Sequence, residues 1–184
     1  MEVLISAADI QRRVCEVGKE IARDHLDSTP LLVGVLNGCV MFVADLMKAI
    51  PIPNEIDFVS VSSYRLASQS NRSPQLLKDL EKEIIGRDVV LVEDIVDSGH
   101  TLAFLRDTLQ KRGPRRLRIA TLLDKPSRRE REVPLDYVGF TVPDRFVVGY
   151  GLDYAERYRH LPYVAALTEA EIESEGAARR AGTR

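Results

Sequence analysis

Val89-Val90-Leu91-Val92-Glu93-Asp94-Ile95-Val96-Asp97-Ser98-Gly99-His100-Thr101-Leu102 is the stretch whose reading decides the fold. Four apolar, mostly β-branched residues run into two adjacent carboxylates. A third carboxylate, a hydroxyl residue, a glycine and a threonine follow. An apolar run without polar alternation predicts a parallel strand buried on both faces. Residues 97–101 read as a tight loop, and Leu102 onward as a helix. A strand that empties into a helix through a Gly-containing loop presents backbone N–H groups and a positive helix end to an anion. The acids just ahead of the loop would repel a bare phosphate. A ligand that suits both halves carries hydroxyls or a bound cation at one end and a phosphate at the other, and a phosphorylated ribose has that layout.

The flanking chain repeats the pattern. Ser6 with Asp9 resembles a helix cap, and Ile10, Val14, Val17 and Ile21 form one buried helical stripe. Leu31-Leu32-Val33-Gly34-Val35-Leu36 reads as a strand. Asn37-Gly38 after it is a strong hairpin signal, but Val40, Val43, Met47 and Ile50 fall at helical spacings of three, four and three. Leu36-Asn37-Gly38-Cys39 therefore reads as a second strand-to-helix corner. Residues 57–62, 117–123 and 137–142 are further strands, and Leu102, Leu105 and Leu109 mark a helix closed by Gly113-Pro114. The polar stretch 65–75 has the length of a lid or binding loop. Arg128-Arg129-Glu130-Arg131-Glu132 mixes its signs and reads as a solvated face. Strands alternating with helices predict an α/β fold, a mostly parallel twisted sheet flanked by helices. Ligands of such sheets sit beyond the carboxyl ends of the strands. The corners at residues 36–39, 93–101 and 124–125 all fall there.

Composition sets bounds. The chain has 184 residues, which suits one domain spanning 1–184 with its core at about 31–164 and a frayed tail over 168–184. A net charge of −2 gives no support to a nucleic-acid partner. The two cysteines, Cys15 and Cys39, form no disulfide framework or metal-ligand spacing. Residues 31–47 are the most apolar window, but Asn37, Asp45 and the short length argue against a membrane span. The expectation is a cytoplasmic protein with no membrane partner.

Glu93-Asp94-Ile95-Val96-Asp97-Ser98-Gly99 closely resembles the 5-phosphoribosyl-1-pyrophosphate (PRPP) signature of type I phosphoribosyltransferases, most of all the hypoxanthine-guanine branch. The Asp124-Lys125-Pro126 corner, Ser63-Tyr64 and the Gly149-Tyr150-Gly151-Leu152-Asp153-Tyr154 run extend the likeness over roughly residues 31–164. The resemblance implies PRPP and hypoxanthine or guanine as substrates, IMP or GMP and pyrophosphate as products, Mg²⁺ as cofactor, a small hood built from terminal segments, and a homodimer or homotetramer. It implies that Leu36, Asn37 and Gly38 meet pyrophosphate through a non-proline cis peptide. The family commonly carries Lys where this chain has Asn37, which leaves the backbone contacts. Ser63 and Tyr64 would begin a mobile loop that closes over PRPP.

The same resemblance gives roles to the remaining candidates. Glu93 and Asp94 would hold ribose hydroxyls and Mg²⁺, with Asp153 as the second metal contact and Ile95 lining the site. Ser98, Gly99, His100 and Thr101 would bind the 5′-phosphate, His100 mainly by its backbone. Lys125 would meet the purine 6-oxo group, Phe146 would stack on the base, Val147 would offer backbone groups to its edge, and Arg159 would contact pyrophosphate. Asp97 has two available jobs: capping the next helix, or, as the resemblance implies, taking the proton that the purine sheds. Two other functions stay open at this stage. One is a PRPP-sensing regulator on the same fold, for which no basic surface or added DNA-binding unit is visible. The other is transfer to another base, such as orotate, uracil or adenine, against which the Lys125 corner speaks.

Overall fold

The computed structural model describes residues 1–62 and 74–174. The opening strand β1 (Glu2–Ile5) leads into α1 (Ala7–Asp24). Ser6 caps that helix, accepting a hydrogen bond from the Asp9 amide at 3.1 Å. Its stripe of Ile10, Val14, Val17 and Ile21 is fully buried, as the spacing requires. Then come β2 (Leu31–Leu36), α2 (Val40–Ala49), β3 (Glu55–Val61), β4 (Leu76–Lys78), β5 (Asp88–Val96), α3 (His100–Gln110), β6 (Arg116–Asp124), β7 (Tyr137–Thr141), β8 (Val147–Val148) and β9 (Val164–Ala166).

Among the described residues the main sheet has the order β4-β3-β2-β5-β6-β7. All neighbours are parallel except β4, which runs antiparallel to β3. The opening stretch is the central strand β5, paired from Leu31↔Val89 on one side and from Asp88↔Arg116 to Val96↔Asp124 on the other. Its alternate side chains divide between two cores. Val90 and Val92 join α1 and α2 on one face. Val89 and Leu91 join Leu102, Leu105 and Leu109 of α3 on the other. A strand covered on both faces needs apolar residues at successive positions, which is why its sequence shows no alternation. Each such side chain contributes about 1.5–3 kcal/mol by leaving water. The second, smaller sheet is antiparallel, ordered β1-β9-β8, and supplies the expected hood from terminal segments.

Four details depart from the sequence reading. β5 does not stop at Val92 but carries Glu93, Asp94 and Ile95 inside the strand, because pairing with β6 continues to Val96. α3 starts at His100 rather than Leu102, since Gly99 (φ +86°) makes the turn that reaches it. In α2 the buried stripe is Cys39, Phe42, Val43 and Leu46, while Val40 and Met47 are 40% and 37% exposed. Cys39 packs inward at the helix start and rotates the stripe one residue from the spacing drawn through Val40. Residues 168–184, expected to fray, begin instead with a short helix over 169–174, capped by Thr168 Oγ1 against the Glu171 amide at 3.3 Å. Residues 175–184 lie outside the described ones. Among the described residues, no helix is long and apolar enough to cross a membrane.

Candidate active site

Two strand-to-helix corners open at the carboxyl edge of the sheet, and neither helix is capped by a side chain. Cys39 begins α2 and Gly99 begins α3, each without a side-chain cap hydrogen bond, whereas α1 has its serine. A helix start that no side chain caps, with its dipole's positive end facing outward, suits an anion. The capping role considered for Asp97 is thereby excluded. The Leu36–Asn37 peptide is cis, so the second corner has the backbone form that the resemblance implied.

Glycines let these corners approach neighbouring chain. A Cβ on Gly38 would stand 1.6 Å from Asp94 Oδ2, and one on Gly151 would stand 2.0 Å from the Gly38 carbonyl oxygen. The Asn37-Gly38 loop is therefore sandwiched between the Asp94 carboxylate and the Gly151 backbone. Arg159 locks the outer layer: its Nη1 donates to Gly151 O at 2.8 Å and its Nη2 lies 3.0 Å from Asp153 Oδ1. The loop carrying them holds four non-glycine residues at positive φ, Tyr150, Ala155, Glu156 and Tyr158. Such backbone persists where surrounding contacts over-determine it. The Glu156 amide donates to Asp153 Oδ2 at 2.9 Å.

Glu93 is buried and Asp94 half-buried, side by side on β5. Burial, then the Asp94 charge, holds the Glu93 carboxyl well above the usual carboxylate range. Burial likewise raises Asp94, against hydrogen bonds from Glu93 and the Ile95 amide and the nearby Arg159 charge. Two carboxyls pressed together out of water favour a proton, a hydroxyl or a cation between them. Among the described residues, no group of three or more His, Cys, Asp or Glu is gathered to hold a metal.

Beside these corners lies a cavity of about 210 Å³ lined by Ile95, Asp97, Lys125, Phe146, Val147 and Asp153, with Arg128, Asp144, Arg145 and Leu152. Lys125 is 5% exposed, and its ammonium donates to Arg145 O at 2.9 Å. Two further N–H donors remain on that nitrogen. Phe146 is fixed edge-on by Tyr154, ring centroids 5.1 Å apart. Asp97 Oδ1 is buried without a hydrogen-bond partner, and its Oδ2 is 4.0 Å from Arg128 Nη1. The Asp97 side chain as a whole is 40% exposed, so its carboxylate can be reached from the cavity by a proton donor.

The structure thus gathers the sequence candidates into three adjoining parts: Leu36, Asn37, Gly38, Asp153 and Arg159; Glu93 and Asp94; and Ile95, Asp97, Lys125, Phe146 and Val147. Ser98 and Gly99 form the turn into α3 and His100 and Thr101 its first two positions, where His100 Nε2 also meets Glu130 Oε2 at 2.8 Å. Ser63 and Tyr64 lie outside the described residues. The sequence reading missed Arg128, Asp144 and Arg145. Their only signal was position, one to three residues from Lys125 or Phe146. It also misjudged the charged run that follows Ser127. Arg129 is not solvated: its side chain is 9% exposed and ion-paired with Asp124.

Comparison with known proteins gives the same result from outside the geometry. Residues 6–155 match the family profile of the phosphoribosyl transferase domain. The chain is 52% identical over 166 residues to a hypoxanthine phosphoribosyltransferase of Salmonella typhimurium, covering 89% of this chain and 93% of that one. It is 49% identical over 173 residues to a hypoxanthine-guanine phosphoribosyltransferase of Bacillus subtilis, covering 94% and 96%. A Trypanosoma cruzi hypoxanthine phosphoribosyltransferase solved in complex with the product IMP superposes with a TM-score of 0.85 at 36% identity, over 92% of this chain and 95% of that one.

Proposed function

The chain belongs to the phosphoribosyltransferase family, and from that premise we propose that it transfers the 5-phosphoribosyl group of PRPP to hypoxanthine or guanine, releasing IMP or GMP and pyrophosphate. The observation that carries this reading is the cavity in which the unpaired Asp97 carboxylate, the buried Lys125 ammonium and the Phe146 ring converge. A 6-oxopurine offers a group to each: an N–H to Asp97, an oxo acceptor to Lys125 and a flat face to Phe146.

The turn 98–101 and the uncapped start of α3 take the 5′-phosphate. Glu93 and Asp94 accept the ribose hydroxyls. The Asn37-Gly38 corner and Arg159 meet the pyrophosphate. A ring nitrogen of the base attacks C1′ as the bond to pyrophosphate breaks, with inversion at that carbon. Asp97 accepts the proton that the base loses. Positive charge develops on the ribose during this exchange, and fixed carboxylates nearby stabilise it more than they stabilise the ground state.

Glu93 and Asp94 on β5 would hold Mg²⁺ at one contact and Asp153 at a second, rather than as one three-carboxylate cluster. This ion takes hard donors, commonly one or two carboxylates completed by substrate phosphate and water. The raised Glu93 and Asp94 carboxyls mark a spot short of positive charge. When bound, Mg²⁺ would neutralise the departing pyrophosphate. Activity lost on chelation and regained with Mg²⁺ supports this assignment; full activity in excess chelator removes it. The free cysteines Cys15 and Cys39 suit a cytoplasmic setting. A homodimer or homotetramer is the proposed assembly, and light scattering of the purified chain reads it directly.

The test of the function is product analysis. Incubation with PRPP, hypoxanthine and Mg²⁺ is expected to yield IMP and pyrophosphate one to one. Absence of both nucleotide products with hypoxanthine and with guanine overturns the reading.

A further inference from the structure

Among the described residues, no hydrogen bond to the Asp97 side chain sets its direction. Oδ1 is buried and unpaired, and Oδ2 lies beyond hydrogen-bond range of Arg128. What aims a carboxylate in that situation is the peptide that carries it, and that peptide is clamped by one side chain. Arg129 Nε donates to the Asp97 carbonyl at 3.1 Å, and its Nη2 donates to the Val96 carbonyl at 3.4 Å. The same Nη2 is ion-paired with Asp124 Oδ1 at the end of β6. Asp124 is itself registered against Val96 in the sheet, so the clamp is anchored to a rigid strand rather than to the loop it holds.

The backbone around Arg129 closes the turn from the same side. The Lys125 amide donates to Val96 O at 3.0 Å, and the Glu130 and Arg131 amides donate to Ser98 O at 3.0 and 2.9 Å. Those bonds involve main chain only and survive a change of side chain. Among the described residues, the Arg129 guanidinium is the side chain that reaches the Asp97 peptide, and a substitution removes it. Planar and always charged, it serves two carbonyls and a carboxylate at once, which an ammonium on a flexible stem does poorly.

We propose that Arg129 is a positioning residue for the transfer reaction, holding the Asp97 peptide so that its carboxylate faces the base. The inference rests on the reading of Asp97 as proton acceptor. Arg129 is not among the residues lining the cavity assigned to the base; the role assigned to it is exerted through Asp97. Loss of the clamp therefore lowers kcat while leaving KM for PRPP nearly unchanged. A misplacement near 1 Å at a reacting group costs about 10²-fold, so Arg129→Met should lower kcat about 10- to 100-fold.

The experiment is a double-mutant cycle in the full-length protein, using wild type, Arg129→Met, Asp97→Asn and the double variant, with Arg129→Lys alongside. Thermal unfolding is recorded for each. Arg129→Lys keeps the charge opposite Asp124, so it folds even where the methionine variant does not, and its kcat should still fall. The proposal expects the two losses not to multiply: once Asp97 is Asn, Arg129→Met lowers kcat little further. Losses that multiply show Arg129 to be structural only. Wild-type kcat in Arg129→Met or Arg129→Lys overturns the proposal, as does a loss confined to KM for PRPP. Unchanged kcat in Asp97→Asn alone is a separate failure, that of the Asp97 reading on which the proposal stands.

Discussion

Gly38→Ala asks whether the pyrophosphate corner and the ribose-binding acids are packed as one unit. Glycine at this position is not needed for backbone freedom, because Gly38 is not among the residues at positive φ. It is needed for space. The added Cβ would lie 1.6 Å from Asp94 Oδ2 and 2.7 Å from its Cγ. To restore an ordinary contact of about 3.5 Å, the oxygen must retreat by about 2 Å. The loop cannot retreat instead, since the Gly38 carbonyl is already pressed by Gly151, whose own Arg159 bond holds it at 2.8 Å. Asp94 would give up its place, including the 2.7 Å bond its Oδ1 accepts from the Ile95 amide. Overpacking of this kind costs about 1–3 kcal/mol of stability. A displaced ribose-binding group costs about 10²-fold in rate per ångström. The expected outcome is a folded variant with kcat/KM for PRPP reduced at least about 10²-fold, while KM for hypoxanthine stays within about threefold. Urea unfolding gives the stability and steady-state kinetics the rest. A folded Gly38→Ala protein with wild-type kcat/KM for PRPP would refute the sandwich of Gly38 between Asp94 and Gly151.

Asp97→Asn keeps the shape of the cavity and removes the proton acceptor; kcat should fall on the order of 10²–10⁴-fold with PRPP affinity little changed, measured by turnover and by direct titration. Gly99→Ala meets two obstacles, φ of +86° and an Arg131 carbonyl 2.2 Å from the new Cβ. It should destabilise the protein by about 1–3 kcal/mol and raise KM for PRPP, and a neutral effect on both would show that the turn is not held as drawn. At the opposite edge of the sheet, burial pushes Asp88 up, but hydrogen bonds from Arg115, Arg116 and Ser28 outweigh it and hold the carboxyl well below the usual carboxylate range. A depressed folded pKa gives stability that is present in full above the unfolded pKa and is lost as pH falls below it toward the folded one. The urea midpoint of wild type should therefore exceed that of Asp88→Asn by a constant margin above about pH 5, narrowing below about pH 4. A margin independent of pH down to 3 would contradict the pairing.

Much of this architecture was legible because burial on both faces of a parallel strand leaves a direct trace. Val89, Val90, Leu91 and Val92 could not alternate, and the helical stripes of α1 and α3 appeared at their spacings. The corners were legible because a strand, a glycine and a helix in succession leave few alternatives. What escaped notice depended on distance in sequence. β4 has three residues and no periodicity to read. The β1-β9 pairing joins Glu2 to Ala166, and nothing local announces it. The α2 stripe was displaced by one residue because Cys39, outside the regular helix, sets which side faces in. Arg129 was misread because mixed charge ordinarily means a solvated face, and only the folded chain brings Asp124 and the Asp97 peptide to it. The family likeness supplied roles that residue type alone left open, Asp97 above all, while the packing that supports those roles came from the structure.

The central claim, that the Val89–Leu102 segment presents PRPP while Lys125 and Phe146 choose a 6-oxopurine, is tested most directly by one steady-state comparison. The purified chain is assayed at saturating PRPP and Mg²⁺ with hypoxanthine, guanine, adenine, orotate and uracil. A buried ammonium aimed at an oxo group rejects a 6-amino base on the order of 10⁴-fold, so kcat/KM for hypoxanthine or guanine should exceed that for adenine by about that factor, with orotate and uracil inert. Comparable kcat/KM for adenine, or turnover of a pyrimidine alone, would contradict the account.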